Sequence, residues 1–111
     1  MCYSIYPTPD FKKQLKKLNK KYRSIKDDIK ELIELLEKEP TLGIQLYDNV
    51  YKIRMAISST NKGKSGGARI ITYIITEDKE LYFIAIFDKK QIDNISKNQI
   101  FELLKNSGLI T

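Results

Sequence analysis

Hydrophobic side chains in the first part of the chain recur at helical spacing, in two consecutive runs. The first run comprises Phe11, Leu15, Leu18 and Tyr22, and the second comprises Ile25, Ile29, Leu32, Ile33 and Leu36. Spacings of three and four residues place such side chains on one face of a helix. Thr8-Pro9 is a helix-start signal before the first run, and Ser24 with Asp27 resembles a capping box before the second. The pattern predicts a helical hairpin with a break at residues 22–24, preceded by a short extended segment.

From Val50 onwards the hydrophobic pattern changes from a helical to a strand-like period. The segment VYKIRMAIS alternates apolar and polar side chains, as a strand with one buried face does. Two β-branched runs follow, ARIITYIIT and LYFIAIFD, separated by the charged tetrapeptide EDKE, which suits a hairpin turn. Ser96 and Gln99 then form a capping box that opens a final helix ending at Gly108.

This order of elements predicts an α+β fold. We expect an N-terminal strand and a helical hairpin packed on a small antiparallel sheet of three to four strands, with a short C-terminal helix. The helices are expected to cover one face of the sheet. A chain of 111 residues supports one hydrophobic core, so residues 1–111 are predicted to form a single domain.

Composition narrows the chemistry available to the chain. There is no histidine, which excludes a Ser-His-Asp triad, a His-ligated metal and an imidazole base. The lone Cys2 permits neither an internal disulfide nor a Cys-only zinc site, so we expect no metal and no cofactor. The N-terminus carries no signal-peptide pattern, and no stretch approaches the roughly 20 apolar residues that span a bilayer. A cytoplasmic protein without a membrane partner is therefore expected.

Positive charge is in excess. Twenty lysines and arginines against fourteen acidic residues give a net charge of +6, and the sequence pI is about 9.3. Such a balance predicts attraction to an anionic partner, with nucleic acid the first candidate and a membrane surface or an acidic protein behind it. Part of this charge coats the predicted first helix, where Lys12, Lys16 and Lys20 share one side.

The loop between the first two predicted strands of the central sheet contains Gly63-Lys64-Ser65, the tail of a phosphate-binding motif. A complete motif requires glycine where the chain has Ser58, and a helix where the chain has a β-patterned run. Nucleoside triphosphate binding is therefore rejected. Adjacent glycines and two lysines still suit a grip on phosphates, while a flexible hairpin connection remains an equal alternative.

The alternation of the strands predicts a cluster of cations on one face of the sheet. Lys52 and Arg54 share a face of one strand, Arg69 and Tyr73 share a face of the next, and Lys89-Lys90 ends the last. If these faces coincide, neighbouring positive charges lower the pKa of a crowded lysine towards neutrality, so that its neutral form can act as a base. Arginine stays charged and can stabilise a pentacoordinate phosphorane. RNA cleavage requires little more, because the 2′-hydroxyl is an internal nucleophile. Solvated surface charge or a protein-binding surface is the alternative for each cation.

Three segments carry a family resemblance: YKIR at 51–54, GKSGGARIITY at 63–73 and FDKKQIDNIS at 87–96. Together with the order of elements they resemble the HigB-like branch of the RelE/ParE toxin superfamily, over nearly the whole chain. The resemblance implies a toxin of a type II toxin–antitoxin system, a ribosome-dependent endoribonuclease that cuts translated mRNA. The implied partners are a cognate antitoxin, ribosomal RNA and mRNA, with operator DNA bound only through the antitoxin complex.

The resemblance also implies roles for individual residues. Arg69 matches an arginine that braces the scissile phosphate, and Lys62 and Lys64 match basic loop residues that act as a base or hold the RNA backbone. Lys89-Lys90 lies where RelE-type toxins place an arginine that serves as acid or charge stabiliser. The predicted catalytic residues are Lys64, Arg69 and Lys89. The predicted RNA contacts are Lys62, Arg54, Lys90, Tyr73, Lys12, Lys16 and Lys20.

The chain departs from the family pattern in two features that matter for catalysis. RelE-type enzymes place a base-stacking tyrosine shortly after the last basic residue, where this chain reads Gln91, Ile92 and Asp93. HigB-like proteins often use histidine, which the chain lacks. Without an imidazole, any catalysis must depend on lysine and arginine. Two alternatives stay open: a non-enzymatic inhibitor of DNA gyrase, as in ParE-like toxins of the same fold, and a plain nucleic-acid-binding module.

Overall fold

The computed structural model describes residues 2–61, 63, 66–89 and 95–111. Within these residues the chain forms a five-stranded sheet and three α-helices. In chain order the elements are β1 (Ser4–Pro7), α1 (Pro9–Lys21), α2 (Ile25–Lys38), β2 (Ile44–Tyr47), β3 (Val50–Met55), β4 (Ala68–Ile75), β5 (Glu80–Asp88) and α3 (Lys97–Asn106). A single 3₁₀ turn, Ser58–Thr60, follows β3.

Local capping chemistry accounts for the starts of α1 and α3 but not of α2, where Ser24 makes no side-chain capping hydrogen bond and the predicted capping box is wrong. The Thr8 side chain accepts a hydrogen bond from the Phe11 amide, and Pro9 occupies the first helical position of α1. Ser96 and Gln99 form the complete reciprocal capping box of α3. Both signals are confirmed, and the break between α1 and α2 falls at the predicted residues.

The strands are ordered β1-β5-β4-β3-β2 across the sheet. The three central strands pair antiparallel as predicted, and β1 lies parallel to β5 with Ser4 opposite Glu80. The α+β class is confirmed, but the sheet has five strands rather than three to four. The additional strand is β2, a short edge strand antiparallel to β3, and the sheet is mixed because β1 is parallel to its neighbour.

Two hydrophobic clusters lie on opposite faces of the sheet. On one face α1 and α2 pack against alternate side chains of β3, β4 and β5, including Ile53, Ile70 and Phe83. On the other face α3 packs through Ile100 and Leu104. The expectation that helices cover only one face is therefore wrong: β4 and β5 are apolar on both faces, and their second face is buried by α3. None of the helices in the described ranges is long and apolar enough to cross a bilayer.

Candidate functional site

Three of the predicted cations meet at one end of the central strands. Arg54 of β3 lies directly opposite Arg69 of β4, and side chains of directly paired residues point to the same face of a sheet. The predicted coincidence of the two basic faces is thus present in the strand register. Lys89 directly follows β5, and its backbone N–H donates to the carbonyl of Gly67, two residues before Arg69, at 3.2 Å.

The three cations differ in exposure. Arg54 and Lys89 are exposed, whereas Arg69 retains only 3% of its accessible surface. The Nη1 atom of Arg69 donates to the carbonyl oxygen of Ala68 at 3.3 Å. Arg54 and Lys89 therefore carry their positive charges at the surface. The positive charge of Arg69 is buried, and its guanidinium is hydrogen-bonded to the backbone. A charge in low-dielectric surroundings acts on its neighbours more strongly than one in water.

The structure separates Tyr73 from this end of the sheet. Tyr73 lies opposite Val50 and Tyr82, four residues along β4 from Arg69, which corresponds to roughly 13 Å at strand spacing. It is half-buried and packs against the cluster under α3. Tyr73 is thus placed as a packing residue, at a distance from the cations with which it was grouped.

The lysines of α1 form a second basic surface. Lys12, Lys16 and Lys20 are exposed and spaced by four residues, so they line one side of α1 over about 12 Å. Because α1 packs on the face of the sheet opposite to Arg54 and Arg69, the two basic surfaces are distinct. Lys62, Lys64 and Lys90, the remaining predicted site residues, lie outside the described residues.

Gly67 stands where the loop after β3 returns to β4, and its position admits no side chain. A Cβ atom on Gly67 would lie 2.0 Å from the carbonyl oxygen of Met55, closer than any real contact. The close approach holds the end of the loop against the end of β3. From the sequence, this glycine was expected in a loop that either grips phosphates or is a flexible connection, and its close approach to β3 was not predicted.

Asp28 holds the beginning of the same loop. Its carboxylate accepts hydrogen bonds from the Ser58 amide at 3.1 Å, the Ser58 hydroxyl at 2.7 Å and the Ser24 hydroxyl at 2.9 Å. Asp28 is only 8% exposed. The first turn of α2 thus carries a buried carboxylate, which is hydrogen-bonded to Ser58 of the 3₁₀ turn.

A second buried carboxylate lies beside Lys89. Asp88, the last residue of β5, is fully buried and accepts hydrogen bonds from the Tyr22 hydroxyl at 2.5 Å and from Lys21 Nζ at 3.2 Å. The hydrogen bond to Asp88 raises the pKa of Lys21 above its ordinary value. Sequence reasoning missed this cluster, although an aspartate that ends an otherwise apolar strand was the available signal.

The arrangement suits contact with a phosphate-rich ligand. Two exposed cations and one buried cation stand at the end of the sheet, beside a glycine-containing loop tied down at both ends. Among the described residues, no group of three or more acidic or cysteine side chains is placed to hold a metal ion. The chemistry that these residues offer is electrostatic stabilisation and proton transfer by cationic side chains.

The fold combines a helical hairpin on one face of a mixed sheet with cations at the end of the central strands. The family model described as "RelE toxin of RelE / RelB toxin-antitoxin system" matches residues 5–110. The chain therefore belongs to the RelE toxin family, as the resemblance to the RelE/ParE superfamily predicted. Assignment to the HigB-like branch stays a prediction.

Solved structures of E. coli toxin RelE share this fold. The free state of a double-arginine mutant matches with a TM-score of 0.60 at 14% identity, over 96% of this chain and 97% of that chain. The same mutant in complex with an antitoxin RelBc peptide matches with a TM-score of 0.56 at 20% identity, over 92% and 93%. The isolated toxin gives a TM-score of 0.56 at 21% identity, over 94% and 97%. At these identities the likeness shows the fold.

Proposed function

We propose that this toxin inhibits translation as a ribosome-dependent endoribonuclease that cuts mRNA. The observation that carries the proposal is the juxtaposition of Arg54, Arg69 and Lys89 at the end of the sheet. Family membership supports a toxin function, and the cationic site supports an anionic, phosphate-containing target. The proposal treats residues 1–111 as one functional domain.

The proposed reaction is an internal transesterification. The 2′-oxygen bonds to phosphorus while the bond between phosphorus and the 5′-oxygen breaks, leaving a cyclic phosphodiester and a free 5′-hydroxyl. A base accepts the proton of the 2′-hydroxyl, and an acid returns one to the departing 5′-oxygen. We assign the base and acid to Lys64 and Lys89, without ordering them, because both are basic residues that the family resemblance places at the cleavage site.

The burial of Arg69 narrows its proposed role. With 3% of its surface exposed, Arg69 stabilises the negative charge that develops on the phosphorane chiefly through its field. Arg54, which lies opposite, is exposed and can contact the RNA backbone directly. Lys62 and Lys90 are proposed as further backbone contacts. Tyr73 is not retained as a base-stacking residue, because it packs under α3.

The surface of α1 is proposed to dock on ribosomal RNA. Lys12, Lys16 and Lys20 present three positive charges along one side of the helix, and phosphate contacts of this kind position a protein without reading sequence. Docking and cleavage are then separate tasks on separate faces. The affinity for ribosomes should fall steeply with salt, whereas the rate on bound ribosomes should not.

A cognate antitoxin is the proposed protein partner. The support is the family description and the solved complex of E. coli RelE with an antitoxin RelBc peptide. Operator DNA is proposed to be bound only through that complex. Coexpression of a small neighbouring reading frame should suppress toxicity and yield a stable complex on purification.

Primer extension on RNA from cells after induction tests the proposed activity. New 5′ ends within translated codons are expected for the wild type, and fewer for Lys89→Ala. Lys105→Ala is the matched control, because Lys105 is an exposed lysine in the last turn of α3. Intact messages together with loss of DNA supercoiling would instead identify a gyrase inhibitor of the ParE type and overturn the proposal.

A further inference from the structure

The buried carboxylate of Asp88 links two parts of the molecule that the proposed function treats separately. Two of its donors, Tyr22 and Lys21, come from the C-terminal end of α1, the helix that carries the basic docking surface. The carboxylate itself ends β5, immediately before Lys89. A single side chain therefore joins the docking helix to the strand end at the cleavage site.

The hydrogen bonds from Tyr22 and from Lys21 contribute unequally to the stability of the buried carboxylate of Asp88. The Tyr22 side chain is 8% exposed and its hydroxyl lies 2.5 Å from Asp88 Oδ2, so this bond is shielded from water. The Lys21 side chain is 49% exposed, and solvent screens its ion pair. Complete burial of a carboxylate costs free energy unless hydrogen bonds replace those it made to water. Of the two donors from α1, the Tyr22 hydroxyl therefore holds Asp88 more firmly.

The position of Asp88 is transmitted to both cations through backbone pairing. Asp88 lies opposite Ala68 in the β4–β5 register, and Ala68 directly precedes Arg69. The next residue, Lys89, donates its N–H to the Gly67 carbonyl. A shift of Asp88 would move the start of β4 and the end of β5 together.

We propose that Asp88, held by Tyr22, is a positioning residue that sets Arg69 and Lys89 relative to the docking helix. The inference rests on the proposed nuclease function and adds to it a mechanical connection between ribosome docking and cleavage. Asp88 touches no substrate; it acts through the backbone of its neighbours. Small misplacements of reacting groups are sufficient to slow an enzyme strongly.

Tyr22→Phe removes one hydroxyl and keeps the ring in the core, so it is the primary test. Single-turnover cleavage of mRNA on programmed ribosomes is measured across ribosome concentrations. We expect the rate at saturation to fall on the order of 10- to 100-fold, with the half-saturating ribosome concentration unchanged within about twofold. Asp88→Asn should fall in the same way, while Tyr6→Phe and Asp78→Asn, matched changes on the exposed β1 and in the β4–β5 turn, should retain the wild-type rate.

Amide hydrogen exchange separates positioning from simple loss of stability. In Tyr22→Phe the Lys89 amide, bonded to Gly67, should exchange at least about tenfold faster, while the Ile100 amide at the start of α3 should keep its wild-type rate. A wild-type saturating rate together with an unchanged Lys89 amide would overturn the proposal. So would equal acceleration at both amides, which indicates a global effect.

Failure of the proposed nuclease function can be distinguished from failure of the positioning role of Asp88. If the wild type cuts no mRNA on ribosomes, the proposed function falls. The exchange experiment then still decides whether Asp88 and Tyr22 fix the Lys89 segment. If Tyr22→Phe does not fold, Asp88→Asn is measured instead. It should also accelerate exchange of the Lys89 amide, and a folded Asp88→Asn protein with wild-type exchange at Lys89 would overturn the proposal.

Discussion

Replacement of Asp28 by alanine tests whether the loop beside the cations is fixed to α2. The change removes an acceptor of three hydrogen bonds, two of them from Ser58. Each bond to a charged acceptor contributes about 1.5 to 3 kcal/mol when shielded. Ser58 is exposed and Ser24 is half-buried, so water replaces part of what is lost. We therefore expect a decrease of about 2 to 4 kcal/mol in the free energy of unfolding.

Asp27→Ala is the matched control for this prediction. Asp27 lies in the same first turn of α2 but is exposed, so its loss should cost only the interaction with the helix dipole, about 0.3 to 1 kcal/mol. Unfolding in urea followed by circular dichroism gives both values, and the slope with denaturant should be unchanged. A double-mutant cycle with Ser58→Ala should give a coupling energy of about 1 to 2 kcal/mol. Equal costs for Asp27→Ala and Asp28→Ala would show that Asp28 does not fix the loop.

Three further perturbations test the packing and the charge network. Gly67→Ala should destabilise the fold by at least about 2 kcal/mol in urea titration, because its Cβ would meet a β3 carbonyl at 2.0 Å. Phe83→Ala should lower the free energy of unfolding by about 3 to 5 kcal/mol in the same assay. Phe83 is 1% exposed, and its ring stacks on that of Phe11 with 4.8 Å between the ring centroids. Asp88 raises the pKa of Lys21 above its ordinary 10.5, so the stability contributed by charged Lys21 is present below that pH and lost as the pH rises through the raised pKa. Lys21→Met should make the loss of stability above pH 10.5 less steep in thermal melts.

Each of these has a control in the same molecule. Gly63 has a positive φ, but a Cβ atom at this position would meet no atom of the described residues within 4 Å, so Gly63→Ala should cost about 1 kcal/mol. Leu35 is 57% exposed, and Leu35→Ala should cost far less than Phe83→Ala. Lys20→Met should leave the alkaline limb of the stability profile as in the wild type. If a control variant changed stability as much as the variant with which it is paired, the corresponding prediction would be contradicted.

Much of the fold could be predicted because its signals are local. The caps at Thr8 and Ser96 act on amides within three residues, so the sequence alone specifies both helix starts. The strand β2 was missed because Ile44–Tyr47 is too short to show a clear period. The pairing of β1 with β5 depends on contacts between distant residues, which no local pattern records.

The candidate site could likewise be predicted from the sequence only in part. Strand alternation placed Arg54 and Arg69 each on a basic face and left open whether the two faces coincide, and the strand register shows that they do. The burial of Arg69, Asp28 and Asp88 did not follow, because charged side chains are assigned to the surface until a tertiary partner is known. Tyr73 was grouped with the cations because strand alternation places it on the same face as Arg69. Two side chains on the same face can still lie far apart along the strand.

Cleavage of mRNA on programmed ribosomes by the purified protein is the decisive measurement for the proposed nuclease activity. We expect the wild type to produce fragments with cyclic phosphodiester ends only when ribosomes are present. Lys89→Ala should slow the saturating rate about 10²-fold, while Lys105→Ala should cut at the wild-type rate. Intact mRNA with the wild-type protein, or equal rates for Lys89→Ala and the wild type, would contradict the proposed activity.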